Sequence, residues 1–215
     1  MLLQLCLQIG RAHVGQLKKL SETDVELLKK YSKIYFLNEN YVPLKLSDID
    51  PKYLNIKNKQ VQVHSDILPH LTQMLDSAKS QGVEIQILSG FRSFSTQASL
   101  KSEYKTTYGS GANKFSADQG YSEHQLGTTL DFTTEKVGAV LAGFDKTEAY
   151  KWMSTNAHKY GFILSYPKNN AYYVYEPWHW RYVGVALATK LYDQKLNFYD
   201  ASQRDIDQYL ANIFD

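Results

Sequence analysis

Apolar residues recur every three or four positions in two central parts of the chain, which is the spacing of an amphipathic helix. The first part runs from Ile67 to Ala78, and Gly82 follows it as a helix-ending residue. The second starts after Thr147, a good N-terminal cap, and stops at Gly161. The same signals predict further helices at 21–32, 95–104, 185–193 and 206–213. Helices are therefore expected at both ends of the chain and around its middle.

Shorter runs alternate between apolar and polar residues and predict β-strands. The strands are expected at 83–88, 124–132, 162–166, 171–175 and 179–183. The second should be a strand pair or a strand-loop-strand bent at Gly127, and Pro167–Asn170 should join the next two as a hairpin. Two stretches have no period: 34–58 predicts an extended arm, and 106–120 predicts a loop over a site. The mixture predicts an α+β domain with a small central antiparallel sheet and helices packed around it.

The composition of the 215-residue chain fits one ordinary globular domain with a small N-terminal addition. We place an N-terminal helical extension at 1–33 and the main domain at 34–215. The net charge of +2 gives no basic surface for nucleic acid. No segment is apolar for long enough to span a bilayer, and Met1–Gly10 lacks the features of a clear signal peptide. The single cysteine, Cys6, excludes a disulfide framework and a cysteine-ligated zinc site.

Two short motifs, far apart in the chain, carry the candidate chemistry. They are SEHQLGTTLD at 122–131 and EPWHWR at 176–181. His124, Asp131 and His179 are candidate metal ligands, and Asp131 lies between apolar residues, where a buried carboxylate needs a partner or a metal. Three protein ligands with an open fourth position are typical of a catalytic zinc site. Glu176, three residues before a ligand, is well placed to take a proton from metal-bound water.

Two metals fit this ligand set. Two histidines and one carboxylate also describe the non-haem iron of oxygenases, and ligand type alone does not separate the two. Glu176 favours zinc, since a hydrolase needs a base beside the metal and an oxygenase does not. Pro177 prevents an ordinary helical turn, so the motif differs from the helical His-Glu-x-x-His of other zinc enzymes. The residues predict a zinc hydrolase with one Zn²⁺ per chain.

Together the motifs resemble those of the VanY and LdcB family of D-alanyl-D-alanine and L,D-carboxypeptidases. This family belongs to the LAS group of zinc peptidases, which includes the hedgehog signalling domain. Two further blocks match it, SGFRSFSTQ at 89–97 and GFILSYP at 161–167. The resemblance extends from about Tyr35 to Tyr209 and implies the LAS fold. It also implies that His124, Asp131 and His179 bind zinc and that Glu176 is the general base and later the general acid.

The resemblance also implies a set of substrate-binding residues. Arg92 matches an arginine that binds substrate, and a guanidinium suits a carbonyl oxygen or a carboxylate. A surface salt bridge is the alternative for Arg92. The other expected contacts are Gln97, Ser122, Tyr121 and Trp178, with Trp180 beside them. Core packing explains the aromatic residues at least as well, and a simple turn role explains Ser122 equally well.

Three positions near these motifs leave questions open. Arg181 is expected either to orient a carboxylate behind the metal ligands or to be a surface charge. Thr129 stands where the family often has alanine, and its hydroxyl could bond Asp131. Ser165 stands where many relatives carry arginine, which puts the specificity for the terminal residue in doubt. None of these changes removes a ligand or the base.

The resemblance implies a zinc carboxypeptidase that removes a terminal D-alanine from peptidoglycan stem peptides, with D,D- or L,D-specificity left open. Such a substrate lies outside the cytoplasm, so an extracytoplasmic or cell-envelope location is expected. A peptidoglycan endopeptidase or lysin of the same fold is the alternative. A zinc-containing binding domain without activity, as in hedgehog, is a third reading that the intact Glu176 and Arg92 oppose. We expect a monomer.

Overall fold

The computed structural model describes residues 37–109, 116–169 and 174–209. Its strands are β1 (Leu46–Asp48), β2 (Gln62–His64), β3 (Gln86–Ser89), β4 (Thr129–Thr133), β5 (Phe162–Leu164) and β6 (His179–Tyr182). Its helices are α1 (Leu68–Ser80), α2 (Phe94–Tyr108), α3 (Glu148–Asn156), α4 (Val185–Gln194) and α5 (Gln203–Asp207). The predicted helix at 21–32 and the extension at 1–33 lie outside the described residues. So does the end of the predicted C-terminal helix, from residue 210.

A four-stranded antiparallel sheet in the order β3-β4-β6-β5 forms the centre of the domain. Strands β1 and β2 pair separately, also antiparallel. The buried apolar cluster draws residues from the sheet and from the helices α1, α3, α4 and α5. The predicted α+β fold, with a small antiparallel sheet and helices around it, is confirmed.

The two central strands separate the core from the polar site by simple alternation. Leu130 on β4 pairs with Trp180 on β6, and both side chains are buried in the apolar core. The next pair in register is Asp131 with His179. Because successive side chains of a strand point to opposite faces, the aspartate and the histidine lie together on the other face.

Most predicted helices are confirmed, with boundary shifts of a few residues. The helix that ends at Gly82 is α1, and the helix capped by Thr147 is α3, where the threonine hydroxyl accepts a bond from the Tyr150 amide. Helix α2 runs on to Tyr108, so the predicted loop at 106–120 begins later than expected.

One strand prediction is wrong. The first half of the predicted strand pair is a 3-10 turn at Glu123–Leu126, followed by Gly127 with a φ of +71° and then by β4. The hairpin predicted from 162–166 and 171–175 falls partly outside the described residues, which omit 170–173. Among the described residues, β5 pairs with β6, and 174 and 175 are not in a strand.

We predict that Gly161→Ala will destabilise the domain strongly. Gly161 has a φ of +85°, and an added Cβ would lie 2.5 Å from the ring of Tyr182. Backbone strain and overpacking together should lower the free energy of unfolding by about 2–4 kcal/mol, measured by urea denaturation.

Gly82→Ala is the matched control. Gly82 has a similar φ of +77°, but an added Cβ would meet nothing within 4 Å. The free energy of unfolding of this variant should fall by only about 1–2 kcal/mol, the cost of a left-handed backbone at a residue with a Cβ. An equal loss in the two variants would contradict the role assigned to the Tyr182 ring.

Candidate metal centre

Asp131 lies at the middle of a buried cluster on the polar face of the sheet. Its carboxylate oxygens lie 3.3 Å from Nε2 of His124 and 3.2 Å from Nδ1 of His179. Ser89, its neighbour on β3, donates a hydrogen bond to Oδ2. One ligand atom from each of Asp131 and the two histidines lies within 4.8 Å of the others. The three predicted ligands are therefore brought together, from two strands and one turn.

His124 is held in place by the 3-10 turn that precedes β4. Its Nδ1 is 2.8 Å from the carbonyl oxygen of Gly90, and its own carbonyl accepts a bond from the Arg92 amide. With Nδ1 directed at a carbonyl, Nε2 faces Asp131. Gly127 lets the chain turn back into β4 because its φ is +71°, and an added Cβ there would lie only 3.1 Å from the His64 amide nitrogen.

His179 lies opposite Asp131 and is bound on both ring nitrogens. Its Nδ1 faces Asp131, and its Nε2 is 3.0 Å from Oε2 of Glu123. The ring of Tyr166 stacks on the imidazole with a centroid distance of 4.3 Å and an angle of 8°. Stacking on Tyr166 therefore fixes the plane of the imidazole, and the contacts with Asp131 and Glu123 fix which way its nitrogens point.

Glu176 stands at the edge of this cluster. Its Oε2 lies 3.7 Å from Nδ1 of His179, the nitrogen that also faces Asp131. The Glu176 amide donates to the Tyr166 carbonyl, and the His179 amide donates to the Glu176 carbonyl, which closes a turn over Pro177. The turn places the carboxylate beside the ligands, as the spacing of the motif predicted.

Burial and pairing set the charges in the cluster. Burial lowers the pKa of His124, so this imidazole is neutral at pH 7 and able to bind a metal. Burial alone would raise the pKa of Asp131, but the two histidines outweigh it and hold this pKa well below its usual range. Burial raises the pKa of Glu176 to about 7. That value suits a group that exchanges a proton near neutral pH.

His179 is affected differently. Burial alone would lower its pKa, but the hydrogen bonds and negative charges of Asp131 and Glu123 raise it to about 10. A metal ion bound to Nδ1 requires this nitrogen to be unprotonated.

The ligand types in the cluster fit a zinc site. His124 lies 3.3 Å from one oxygen of Asp131 and His179 lies 3.2 Å from the other. One ligand atom of each of the three residues lies within 4.8 Å of the others. Two nitrogens and one carboxylate are also a donor set that zinc prefers, with a fourth position left for water or substrate.

Arg92 and Gln97 form a pair beside the cluster. Arg92 donates from Nη1 to Gln97 at 2.7 Å, and its Nη2 lies 4.0 Å from Asp131. Gln97 in turn donates to the carbonyl of Ala117 at 2.8 Å. The Arg92 side chain is 19% exposed, so it can be reached from outside. Arg92 therefore lies at the accessible edge of the cluster, and Gln97 is buried behind it.

The other predicted contacts lie at different depths. Ser122 is buried just before the 3-10 turn, Tyr121 is half exposed, and Trp178 is partly buried. Of the two roles left open for Trp180, core packing is the observed one, because this residue alternates with His179 on β6 and packs against Tyr150. Tyr166, not Trp180, stacks on His179.

Three residues of the site escaped the sequence analysis: Glu123, Tyr166 and Tyr199. Glu123 is buried and accepts a hydrogen bond from Tyr199 at 2.6 Å and from Arg181 at 2.7 Å. Arg181 thus takes the first of its two expected roles and binds a carboxylate behind His179. The signal for Glu123 was its position inside the first motif, between Ser122 and His124. Nothing local to Tyr199 marked it.

Comparisons with known proteins agree with this geometry. The family model for VanY, D-alanyl-D-alanine carboxypeptidase, matches residues 60–185. YodJ of Bacillus subtilis, whose assignment as a carboxypeptidase is itself provisional, is 36% identical over 182 residues, or 79% of this chain. The chain spans 64% of the length of that relative.

Two solved structures share the fold. One is the LdcB LD-carboxypeptidase, with a TM-score of 0.70 and 33% identity over 78% of this chain and 81% of the other. The other is a variant of the vancomycin resistance D,D-pentapeptidase VanY in complex with Zn(II). It has a TM-score of 0.62 and 28% identity over 78% of this chain and 97% of the other. With the family model covering more than half of its length, the chain belongs to the VanY family of D-alanyl-D-alanine carboxypeptidases.

Proposed function

We propose that this protein is a zinc-dependent carboxypeptidase that removes the terminal D-alanine from peptidoglycan stem peptides. The observation that carries the proposal is the buried group of His124, Asp131 and His179 with Glu176 beside it. The zinc-bound VanY structure and the peptidoglycan-recognising LdcB support both the metal and the substrate class. We assign the catalytic domain to 34–215, which contains every residue named in the site.

The chemistry follows from the proposed ligands and base. A bound zinc ion would supply Lewis acidity and lower the pKa of its water, to about 7 in the most favourable sites. Glu176 would take the proton of the attacking water and later deliver it to the nitrogen of the leaving D-alanine. A carboxylate whose pKa lies about 7 can do both.

Substrate recognition is assigned to the residues at the mouth of the site. Arg92 is held by Gln97 and presents a guanidinium whose Nη2 lies 4.0 Å from the proposed ligand Asp131. A guanidinium there can bind a carbonyl or the terminal carboxylate of the substrate. Ser122, Tyr121 and Trp178 are proposed to complete the pocket.

The proposed substrate also sets the place of action. Peptidoglycan lies outside the cytoplasm, so we propose that the protein acts in the cell envelope. Each helix within 37–109, 116–169 and 174–209 is too short or too polar to cross a lipid bilayer.

The direct test uses defined muropeptides and mass spectrometry. The zinc-loaded protein should release a single alanine from a tetrapeptide or a pentapeptide stem, and the substrate that is consumed gives the specificity. Larger fragments would indicate an endopeptidase. No cleavage of any stem peptide by zinc-loaded protein would contradict the proposal.

Glu176→Gln should lower kcat by about 10²–10⁴-fold, because the amide cannot take the proton. Zinc content, measured by mass spectrometry under native conditions, should stay at one ion per chain. Glu148→Gln, at an exposed position on α3, is the matched control and should keep full activity. Full activity in Glu176→Gln would overturn the assignment of the base.

Asp131→Asn should weaken zinc binding by more than about 100-fold because it removes a charged ligand. Even the loss of a residue that only hydrogen-bonds to a ligand typically lowers metal affinity by about 10–100-fold. The dissociation constant can be measured by competition with a chelator. The control variant Asp48→Asn, at the exposed end of β1, should leave the zinc dissociation constant unchanged. Unchanged zinc affinity in Asp131→Asn would place the metal elsewhere.

Arg92→Lys should raise KM with a smaller change in kcat, because lysine cannot reproduce a fork of two donors. Losing one charged hydrogen bond corresponds to about 10–100-fold in kcat/KM. Arg204→Lys, on the exposed face of α5, is the control. KM and kcat of both variants would be measured by steady-state kinetics on the stem peptide that the wild-type protein cleaves. An unchanged KM in Arg92→Lys would favour the salt-bridge role for Arg92.

A further inference from the structure

Glu123 is the most completely enclosed acidic side chain of the site. Its side chain has no exposed surface, and four side chains contact its two oxygens. Arg181 and Tyr199 donate to Oε1 at 2.7 and 2.6 Å. Ser165 donates to Oε2 at 2.7 Å, and Nε2 of His179 lies 3.0 Å from the same oxygen. So many hydrogen bonds hold the buried carboxylate in a single orientation.

The strand β6 explains how one carboxylate reaches both His179 and Arg181. Residues two apart on a strand point to the same face, so the imidazole and the guanidinium lie side by side. Glu123 spans the two, with one oxygen on each. The positive charge of Arg181 balances the carboxylate, so the anion is tolerated in the interior.

This contact decides which nitrogen of His179 faces the ligand cluster. Because Nε2 is bound to Glu123, Nδ1 points at Asp131 and Glu176. A ring flip would turn Nδ1 away and break the bond to Glu123. Glu123 therefore supplies an orientation that Asp131 alone does not enforce.

Two of the partners come from positions that the motifs did not explain. Ser165 stands where the resemblance gives arginine in many relatives, and its hydroxyl donates to Glu123. Tyr199 lies beyond residues 60–185 and brings the segment after α4 onto the same carboxylate. Phe198, its neighbour, packs its ring 4.7 Å from the Arg181 guanidinium.

We propose that Glu123 is a positioning residue that fixes His179 with Nδ1 toward the metal, and that Ser165, Arg181 and Tyr199 hold Glu123 for this purpose. The inference rests on the zinc site of the proposed function. Glu123 does not touch substrate in this role, because it acts through the histidine. The C-terminal segment that carries Tyr199 thereby becomes part of the metal centre.

The test measures zinc affinity in Glu123→Gln. Glutamine keeps the shape but places an amide against the donors of Arg181 and Tyr199, so His179 should lose its fixed orientation. The zinc dissociation constant should rise about 10–100-fold in a chelator competition. With Co(II) in place of zinc, the visible absorption bands should shift, since they report the ligand geometry around the metal.

Two milder variants support the same test. Tyr199→Phe and Ser165→Ala each remove one donor to Glu123 and should weaken zinc binding by a smaller factor in the same direction. They decide the outcome if Glu123→Gln does not fold. Zinc affinity within about twofold of wild type in all folded variants, with unchanged Co(II) bands, would overturn the proposal.

Leu71→Ala is the control for a purely structural effect. Leu71 is buried on α1 and contributes only to the apolar core. This variant should lower the unfolding midpoint but leave the zinc affinity and the Co(II) bands unchanged. An equal loss of affinity in Leu71→Ala would show that reduced stability alone explains the effect, which would also overturn the proposal.

The result separates this inference from the proposed function. If the wild-type protein does not bind zinc, both the positioning role of Glu123 and the proposed function are wrong. If wild type binds zinc and cleaves stem peptides while Glu123→Gln binds zinc normally, only the positioning role fails.

Discussion

The site depends on pairing charges that are buried on one face of a small sheet. Asp131 and Glu123 are both enclosed, and each is stabilised as an anion by neighbouring cationic or donor groups. His179 lies between the two carboxylates and bonds both. Burial alone would raise the pKa of Glu123, but Arg181 and His179 outweigh it and keep that pKa well below its usual range. Without these pairs, burying the charged carboxylates would cost too much free energy for the site to form in the interior.

The register of β4 on β6 links this electrostatic arrangement to the fold. The Leu130–Trp180 pair anchors the apolar face, and the adjacent Asp131–His179 pair is thereby placed on the polar face. A shift of one residue would exchange the two faces and bury the wrong side chains. The core packing that stabilises the sheet therefore also fixes the distance between two of the proposed ligands.

The sequence predicted the fold class, most helices and the three clustered ligands, because these depend on local period and on motif spacing. It left Trp180 open between the pocket and the core, although alternation with His179 on one strand puts the two on opposite faces. It missed Glu123 and Tyr199 because their roles arise from contacts across 56 and 76 residues of sequence. No local pattern encodes such a contact. The pairing of β5 with β6 was missed for the same reason, since local turn residues suggested a nearer partner.

The most direct measurement is a crystal structure of the zinc-loaded protein with diffraction data collected at the zinc absorption edge. One anomalous peak per chain is expected, about 2.0–2.2 Å from Nε2 of His124, a carboxylate oxygen of Asp131 and Nδ1 of His179. Glu123 should remain on Nε2 of His179 in that structure. A peak at another place, or zinc bound to Nε2 of His179 with Glu123 released, would contradict the proposed metal centre.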